Sequence, residues 1–393
     1  MKINTSDIKI APPKMGFKFC QFGDLTENVS KWVEFHGFKT EKVGNFTNII
    51  INDDTNMFDI FHTPEPFEYV DGFSPNLNKK LHVGHLSNLV LANAFQSLGV
   101  GKKFIAILGD TLSTGDTNKE NALELYLNYC KDFGYRVDDI YYASGMELKD
   151  TSLLSDGDGN YVGTKVFDID GEKTVGIKSN GDTSYFYQDV ALAEDLGEST
   201  LYLTGFEQDE HFKKLNKLFP HTQHMGLGLV MLDGKKMSSS EGNVIYLHQL
   251  ISNLEDSFDD NLELVYNIMA GQILNSKPGQ IKSIDSKLIT NPKLSLGLYL
   301  SYTMAHVKSC GVNTELITNY SSKKLQYAHI RSMNNLSPNI LFKELVEHCK
   351  YINKLYETHY IKDNPRNIEL FSGLISDLEL GMTNLGMFSV DKV

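Results

Sequence analysis

Two imidazoles, His82 and His85, flank Val83-Gly84 in the run Asp71-Gly-Phe-Ser-Pro-Asn-Leu-Asn-Lys-Lys-Leu-His-Val-Gly-His-Leu-Ser87. Phe67-Glu-Tyr-Val70 ahead of it reads as a short buried strand. Asn88-Leu-Val-Leu-Ala-Asn-Ala-Phe-Gln-Ser97 behind it has the apolar spacing of a helix. The run is therefore a strand, a turn punctuated by Pro75, and a helix that opens at His82. A helix N-terminus presents unpaired N–H groups and a positive dipole end, which suit a phosphate. The imidazoles can donate to phosphate oxygens, and Lys79 and Lys80 add positive charge just ahead. Gly84, without a Cβ, lets a flat ligand lie against the backbone. By itself this pattern also fits a plain helix start with satisfied histidines. A second stretch, Asp233-Gly-Lys-Lys-Met-Ser-Ser-Ser-Glu-Gly-Asn243, adds a Gly-flanked, lysine-bearing loop after the apolar run Met225-Gly-Leu-Gly-Leu-Val-Met231.

The elements that must position these groups alternate. Phe104-Ile-Ala-Ile-Leu108 predicts a buried strand, residues 118–133 a helix, and Asp139-Ile-Tyr-Tyr-Ala143 another strand. Leu201-Tyr-Leu-Thr204 is a further strand, with a helix from Gln208 to Leu218. Such alternation implies a parallel α/β sheet. Residues 156–184, rich in Gly and Asp, read as hairpins inserted into it. Asp156-Gly-Asp-Gly-Asn there reads as turn chemistry, because no acidic residue closes a calcium loop of about twelve residues. Beyond Tyr246 the pattern predicts helices at 246–255, 258–272, 293–310, 323–334, 340–357 and 367–385, a helical bundle. Lys277-Pro278-Gly279 and Asn291-Pro292 mark loops. Before residue 63, 29–35 reads as helical and Phe46-Thr-Asn-Ile-Ile-Ile51 as a strand, with no chemistry visible.

The chain has 393 residues, 41% of them hydrophobic, and a net charge of −13. That length suggests two or three domains. No apolar run approaches the ~20 residues of a membrane helix, and the first ten residues lack the apolar core of a signal peptide. The four cysteines sit far apart without metal-ligand spacing and read as thiols in a reducing cytoplasm. The charge argues against a coat for nonspecific nucleic-acid binding. Residues 291–393, however, carry eleven Lys and Arg against nine Asp and Glu, so the negative excess lies before them. They are the more plausible resting place for a polyanion.

Together, His82-Val-Gly-His85 and Lys235-Lys-Met-Ser-Ser-Ser240 resemble the HIGH and KMSKS signatures of class I aminoacyl-tRNA synthetases. Asp71 to Leu86, with Ser74-Pro-Asn76 and a lysine three residues on, is similar to the arginyl-tRNA synthetase version. Asp182-Thr-Ser-Tyr-Phe-Tyr-Gln-Asp-Val-Ala191 resembles that family's Gly-Thr-Thr-Tyr-x-x-x-Asp-x-Ala, and Gly205-Phe-Glu-Gln-Asp-Glu-His-Phe212 its Gly-x-x-Gln-x-x-His-Phe. Leu298-Tyr-Leu-Ser-Tyr302 and Gly381-Met-Thr-Asn-Leu-Gly386 resemble parts of its helical anticodon-binding domain. The resemblance runs from about residue 65 to the C-terminus.

The resemblance implies a Rossmann-like, nucleotide-binding catalytic domain at 63–257, preceded by a small appendage at 1–62. A helical, anticodon-binding-like domain would follow at 258–393. It implies a cytoplasmic, monomeric arginine–tRNA ligase whose partners are ATP, L-arginine and tRNA(Arg), with Mg2+ carried by ATP. Lys79, His82, His85 and Lys236 would be catalytic. Gly84, Met237, Ser238 and Ser240 would join the two histidines and Lys236 around ATP. Asp71 and Asp189 would hold the guanidinium beside Tyr185, with Asn76 and Gln208 at the α-amino and carboxylate ends. A planar, permanently charged fork of five donors does call for carboxylates. Tyr185 and Asp189, four apart, share a face if a helix starts there.

The chain also departs from the family pattern. Ser239 replaces the second lysine of KMSKS, Glu241 follows, and Ser87 stands where an arginine is usual. Gly109-Asp-Thr-Leu-Ser-Thr114 replaces Gly-Asp-Trp-Gly-Thr-Gln. Lys79 occupies the family's compensating lysine position. Two alternatives stay beside the tRNA ligase: a paralogue that delivers activated arginine to another acceptor, and a noncatalytic tRNA- or nucleotide-binding protein of the same fold.

Overall fold

The computed structural model describes residues 56–77, 80–109, 117–236, 246–255, 258, 261–284, 294–314, 316–362 and 364–393. It also describes the backbone of four strands before residue 51. Those strands, β1 Lys18–Cys20, β2 Gly23–Asn28, β3 Lys39–Val43 and β4 Phe46–Ile50, pair antiparallel in the order β1-β2-β4-β3. Only β4 is anticipated by the sequence; the helix expected at 29–35 lies outside the described residues.

After a short helix, α1 Met57–Ile60, the main α/β unit begins. Its strands are β5 Phe67–Asp71, β6 Gly101–Leu108, β7 Asp139–Tyr142, β11 Thr200–Gly205 and β12 Thr222–Leu227. They form one sheet in the order β12-β11-β5-β6-β7, every neighbouring pair parallel. The chain runs outward from β5 to β7, then returns to place β11 on the other side of β5. That reversal makes a topological switch point, where a crevice opens beyond the carboxyl ends of β5 and β11. Asp71 ends β5 and Gly205 ends β11, so both border this crevice.

Between the strands run α2 Val83–Ser97, α3 Thr117–Asp132, α4 Tyr185–Leu196 and α5 Asp209–Leu218. Helix α2 is buried on more than one face: Leu86, Leu89, Val90, Leu91, Ala94 and Phe95 are all inaccessible or nearly so. A helix apolar all round lies between layers. Here the layers are the sheet and the helices that follow residue 246, since α2 packs on β6, β11, α6 Leu247–Glu255 and α7 Leu262–Leu274.

The inserted segment is a three-stranded antiparallel sheet, β8 Leu154–Asp156, β9 Lys165–Ile169 and β10 Glu172–Ile177, in the order β10-β9-β8. Asp156 and Asp158 pair with Lys165 and Lys173, in keeping with turn chemistry. Phe167 of β9 packs edge-on against Phe186, which locks the insertion to α4.

Val230–Leu232 (β13), Lys235–Lys236 (β14) and Lys282–Ile284 (β15) form a third small sheet, ordered β14-β13-β15. The parallel pairing of β15 is not visible in the sequence, where 277–279 marks only a loop. The remaining helices are α8 Leu296–Lys308, α9 Lys323–Asn334, α10 Asn339–Thr358 and α11 Pro365–Thr383. They fall within the expected helical stretches to within two or three residues. One apolar core runs through α2, α7, α8, α10 and α11. Two glycines permit the tightest crossing: a Cβ on Gly271 would lie 2.3 Å from Gly297 N, and one on Gly297 only 1.8 Å from Asn267 O. At the end of the chain, Asn93 of α2 donates to the Gly386 carbonyl at 3.1 Å. The chain thus folds as a Rossmann-like α/β unit followed by a helical bundle. No described helix is long and apolar enough to cross a membrane.

Candidate active site

The N-terminus of α2 is built by its own histidines. His82 is the N-cap, and its Nδ1 accepts from Gly84 N at 3.0 Å. His85 Nδ1 accepts from His82 N at 3.0 Å, completing a reciprocal capping box. Such a box satisfies two helix-end donors at once. The rings lie 4.0 Å apart between centroids. Because both Nδ1 atoms accept, the neutral rings carry their protons on Nε2. The donors expected for phosphate are therefore two Nε2–H groups, oriented by backbone N–H groups that the rings themselves satisfy.

This helix end is also stitched to the chain that follows the lysine-bearing loop. His82 forms an antiparallel bridge with Tyr246, and Leu247 N donates to Leu81 O at 2.9 Å. Lys80 Nζ lies 5.6 Å from the Tyr246 ring centroid. Lys236 belongs to β14, which pairs with β13. The loop's two flanks are thus fixed, one by β13 and one by His82. Lys79, Met237, Ser238 and Ser240 lie outside the described residues.

At the switch point, Asp71 is 5% exposed and accepts a hydrogen bond from Ser74 Oγ. Ser74 Oγ in turn accepts from Ile107 N at 2.7 Å, tying the turn after β5 to β6. Burial pushes the Asp71 carboxyl up to about 7; the Ser74 bond opposes this, and the negative charge of Asp189 adds to it. Asp189 is therefore close enough for its charge to act on Asp71.

Asp189 is placed by α4. Ser184 caps that helix: its Oγ accepts from Tyr187 N at 3.1 Å and donates to Val175 O of β10 at 2.6 Å. The inserted sheet thereby sets where α4 begins. Tyr185 is its first residue and 76% exposed, one turn from Asp189. Asp189 Oδ2 lies 2.6 Å from His211 Nε2 of α5. Asn76 sits exposed in the turn after β5, and Gln208 exposed in the single 3-10 turn between β11 and α5.

Among the described residues, three buried side-chain polar atoms have no hydrogen-bond partner: Tyr135 Oη, Tyr202 Oη and Gln188 Oε1. Both phenols lie in the electrostatic field of Asp71, Tyr202 in the core beneath α4 and α5 and Tyr135 in the core that contains α2. Tyr202 is the in-register partner of Asp71 across β11 and β5. Tyr135 Oη would stand 2.6 Å from a Cβ at residue 72, so Gly72 is what admits it. Neither tyrosine is among the residues singled out by sequence. His211 appears there only as part of a motif, although its spacing of three from Gln208 was available. Buried and half-buried carboxylates suit a cationic group, and a histidine-capped helix end suits a phosphate.

No family model matches the chain. It is 21% identical over 430 residues to the arginine–tRNA ligase of Clostridium botulinum (strain Alaska E43 / Type E3), covering 95% of this chain and 71% of that protein. Against the corresponding ligase of the Loch Maree strain the identity is 23%, and this chain spans 64% of it. The fold is similar to that of Thermus thermophilus arginyl-tRNA synthetase, with a TM-score of 0.69 at 14% identity, covering 96% of each chain. The enzyme from Plasmodium falciparum gives a TM-score of 0.65 at 16% identity, over 99% of this chain and 97% of that one.

Proposed function

We propose, from the premise that this chain is a class I arginyl-tRNA synthetase homologue, that it activates L-arginine with ATP and transfers it to the 3′ end of tRNA(Arg). The arginine carboxylate attacks the α-phosphorus of ATP, forms the arginyl-adenylate mixed anhydride and expels pyrophosphate. A ribose hydroxyl at the tRNA 3′ end then attacks the anhydride carbonyl, forming the ester and releasing AMP. No side-chain nucleophile is needed, so the rate comes from positioning and charge neutralisation. Mg2+ carried by ATP would supply charge neutralisation at the phosphates.

The observation that carries this reading is the buried Asp71 at the end of β5, whose carboxyl is held up by burial and further by the negative charge of Asp189 on α4. Two carboxylates match the planar fork of a guanidinium better than the point charge of an ammonium. In this reading Tyr185 walls the pocket, and Asn76 and Gln208 hold the α-amino and carboxylate ends. His82 and His85 meet the phosphates through Nε2–H, with Gly84 leaving room for the nucleotide. Lys79 and Lys236 add the charge that the reaction develops, while Met237, Ser238 and Ser240 close over ATP. The catalytic part is assigned to 63–257, and the helices at 258–393 are assigned to tRNA.

Pyrophosphate exchange with each of the twenty amino acids, with and without tRNA, tests the reading. Exchange with arginine alone among them is expected. Exchange with another amino acid, or with none under either condition, overturns it.

A further inference from the structure

We propose that the Tyr202 hydroxyl is a specificity-determining contact of the guanidinium pocket, donating to the Asp71 carboxylate and accepting one guanidinium N–H. The inference rests on the arginine reading above and adds a recognition group to that site.

The argument begins with position. Tyr202 pairs in register with Asp71 on the adjacent parallel strand, beside the switch-point crevice. Its ring is held by Phe212 of α5, 4.8 Å between centroids, and Phe212 stacks on His224 at 4.6 Å. His224 is fixed in turn by Asp209 Oδ1 at 3.1 Å and Thr204 Oγ1 at 2.9 Å. The phenol therefore sits in a packed frame, yet its hydroxyl is fully buried and makes no hydrogen bond.

A buried hydroxyl without a partner destabilises the protein that carries it. Tyr202 pairs that cost with a location in the field of Asp189 and Asp71, both of which push its ionisation further up after burial itself. It therefore stays a neutral phenol, able to donate one hydrogen bond and accept another. A guanidinium has five N–H groups, more than two carboxylates in a fixed frame readily match. A phenol that gives its proton to one carboxylate and its lone pair to the cation completes the set. Tyr135 has an orphan hydroxyl too, but Asp71 is the only carboxylate of the pair that acts on it. It serves as the comparison for the test.

The full chain is studied as wild type, Tyr202→Phe and Tyr135→Phe, by thermal unfolding, arginine titration calorimetry and steady-state activation kinetics. Tyr202→Phe is expected to keep or raise Tm, because it removes an unpaired polar atom. It should weaken arginine binding and raise the arginine KM by about tenfold, with the ATP KM nearly unchanged. Tyr135→Phe should alter the arginine KM less. Arginine affinity in Tyr202→Phe equal to wild type overturns the inference alone. A large fall in Tm also overturns it, by revealing a structural partner for the hydroxyl. Wild-type protein that neither binds nor activates arginine removes the arginine reading itself, and this inference with it.

Discussion

Asp189 Oδ2 and His211 Nε2 stand 2.6 Å apart, so α5 fixes the position of a carboxylate carried by α4. Asp189→Ala would remove one arm of the proposed guanidinium clamp and the hydrogen-bond partner of His211. We expect arginine kcat/KM to fall about a hundredfold, on the order of 3 kcal/mol, typical of breaking a buried charge contact. Pyrophosphate exchange across an arginine series measures it. Similar kinetics in the variant and wild type would show that the clamp is elsewhere.

His211→Asn should act more mildly, because it loosens the carboxylate without deleting it. A rise of about tenfold in arginine KM, with kcat within a factor of about two, is expected for such a positioning role. Equal losses in kcat and KM would instead place the imidazole in contact with the reacting groups.

The buried Asp71 carboxyl gives a pH signature. Its pKa rises from 3.8 to about 7 in the fold, mainly through burial. The folded state therefore holds a proton that the unfolded chain has released. This stabilisation of the protonated fold is complete below about pH 4 and is lost as pH rises through about 7. Asp71→Asn should raise Tm over wild type at pH 8 more than at pH 5 in ligand-free protein. A guanidinium favours the ionised form, so arginine binding at pH 6 should release close to one proton and tighten toward pH 8. Calorimetry in two buffers of different ionisation enthalpy counts that proton. No release at pH 6 would rule out Asp71 as a guanidinium partner.

Gly297 tests the crossing of α7 and α8 within the helical part of the chain. A Cβ there meets Asn267 O at 1.8 Å, a backbone atom in α7 that no rotamer change can move. Gly297→Ala should cost about 3 kcal/mol by forcing α7 and α8 apart. Gly373, whose Cβ would meet nothing within 4 Å, is the control position in α11. Chemical denaturation of both variants reads the difference. A small effect at both sites would mean that the crossing can relax.

Lys79 is expected to supply phosphate-neutralising charge that a KMSKS loop with Ser239 and Glu241 lacks. Charge lost at a transition state in a dry site commonly costs ~3 kcal/mol, about a hundredfold in rate. Lys79→Ala should lower kcat for arginine activation by roughly that factor, with a smaller change in arginine KM. Ser239→Lys should restore part of it. Additive effects in the double-mutant cycle would mean that the two positions do not share a task.

Much of the site could be read from local signals. The strand ending in Asp71, the helix opening at His82 and the start of α4 at Tyr185 each depend on residues within one turn of the feature. The capping role of the histidines was harder to see, because histidine is not among the preferred N-caps. What remained hidden is nonlocal. Tyr202 meets Asp71 only through the β11–β5 register, and Tyr135 comes against residue 72 only because a glycine stands there. β15 looks like an ordinary loop exit until β13 is beside it. In the first 50 residues, the predominantly polar strands β2 and β3 lack the apolar alternation that made β4 legible.

Strand β15 has a consequence for how the polypeptide can be divided. It lies beyond α7 in the chain, yet it completes the sheet whose other edge carries Lys235 and Lys236. A fragment ending near residue 257 would lose β15 from β13 and would bare the flank of α2 that α7 covers. Such a piece would present an open strand edge and an uncovered apolar helix, both of which invite self-association. Catalytic-part fragments made by truncation there should collect in insoluble material, whatever their intrinsic chemistry. Co-production of the missing half is the condition under which they would be expected to stay in solution.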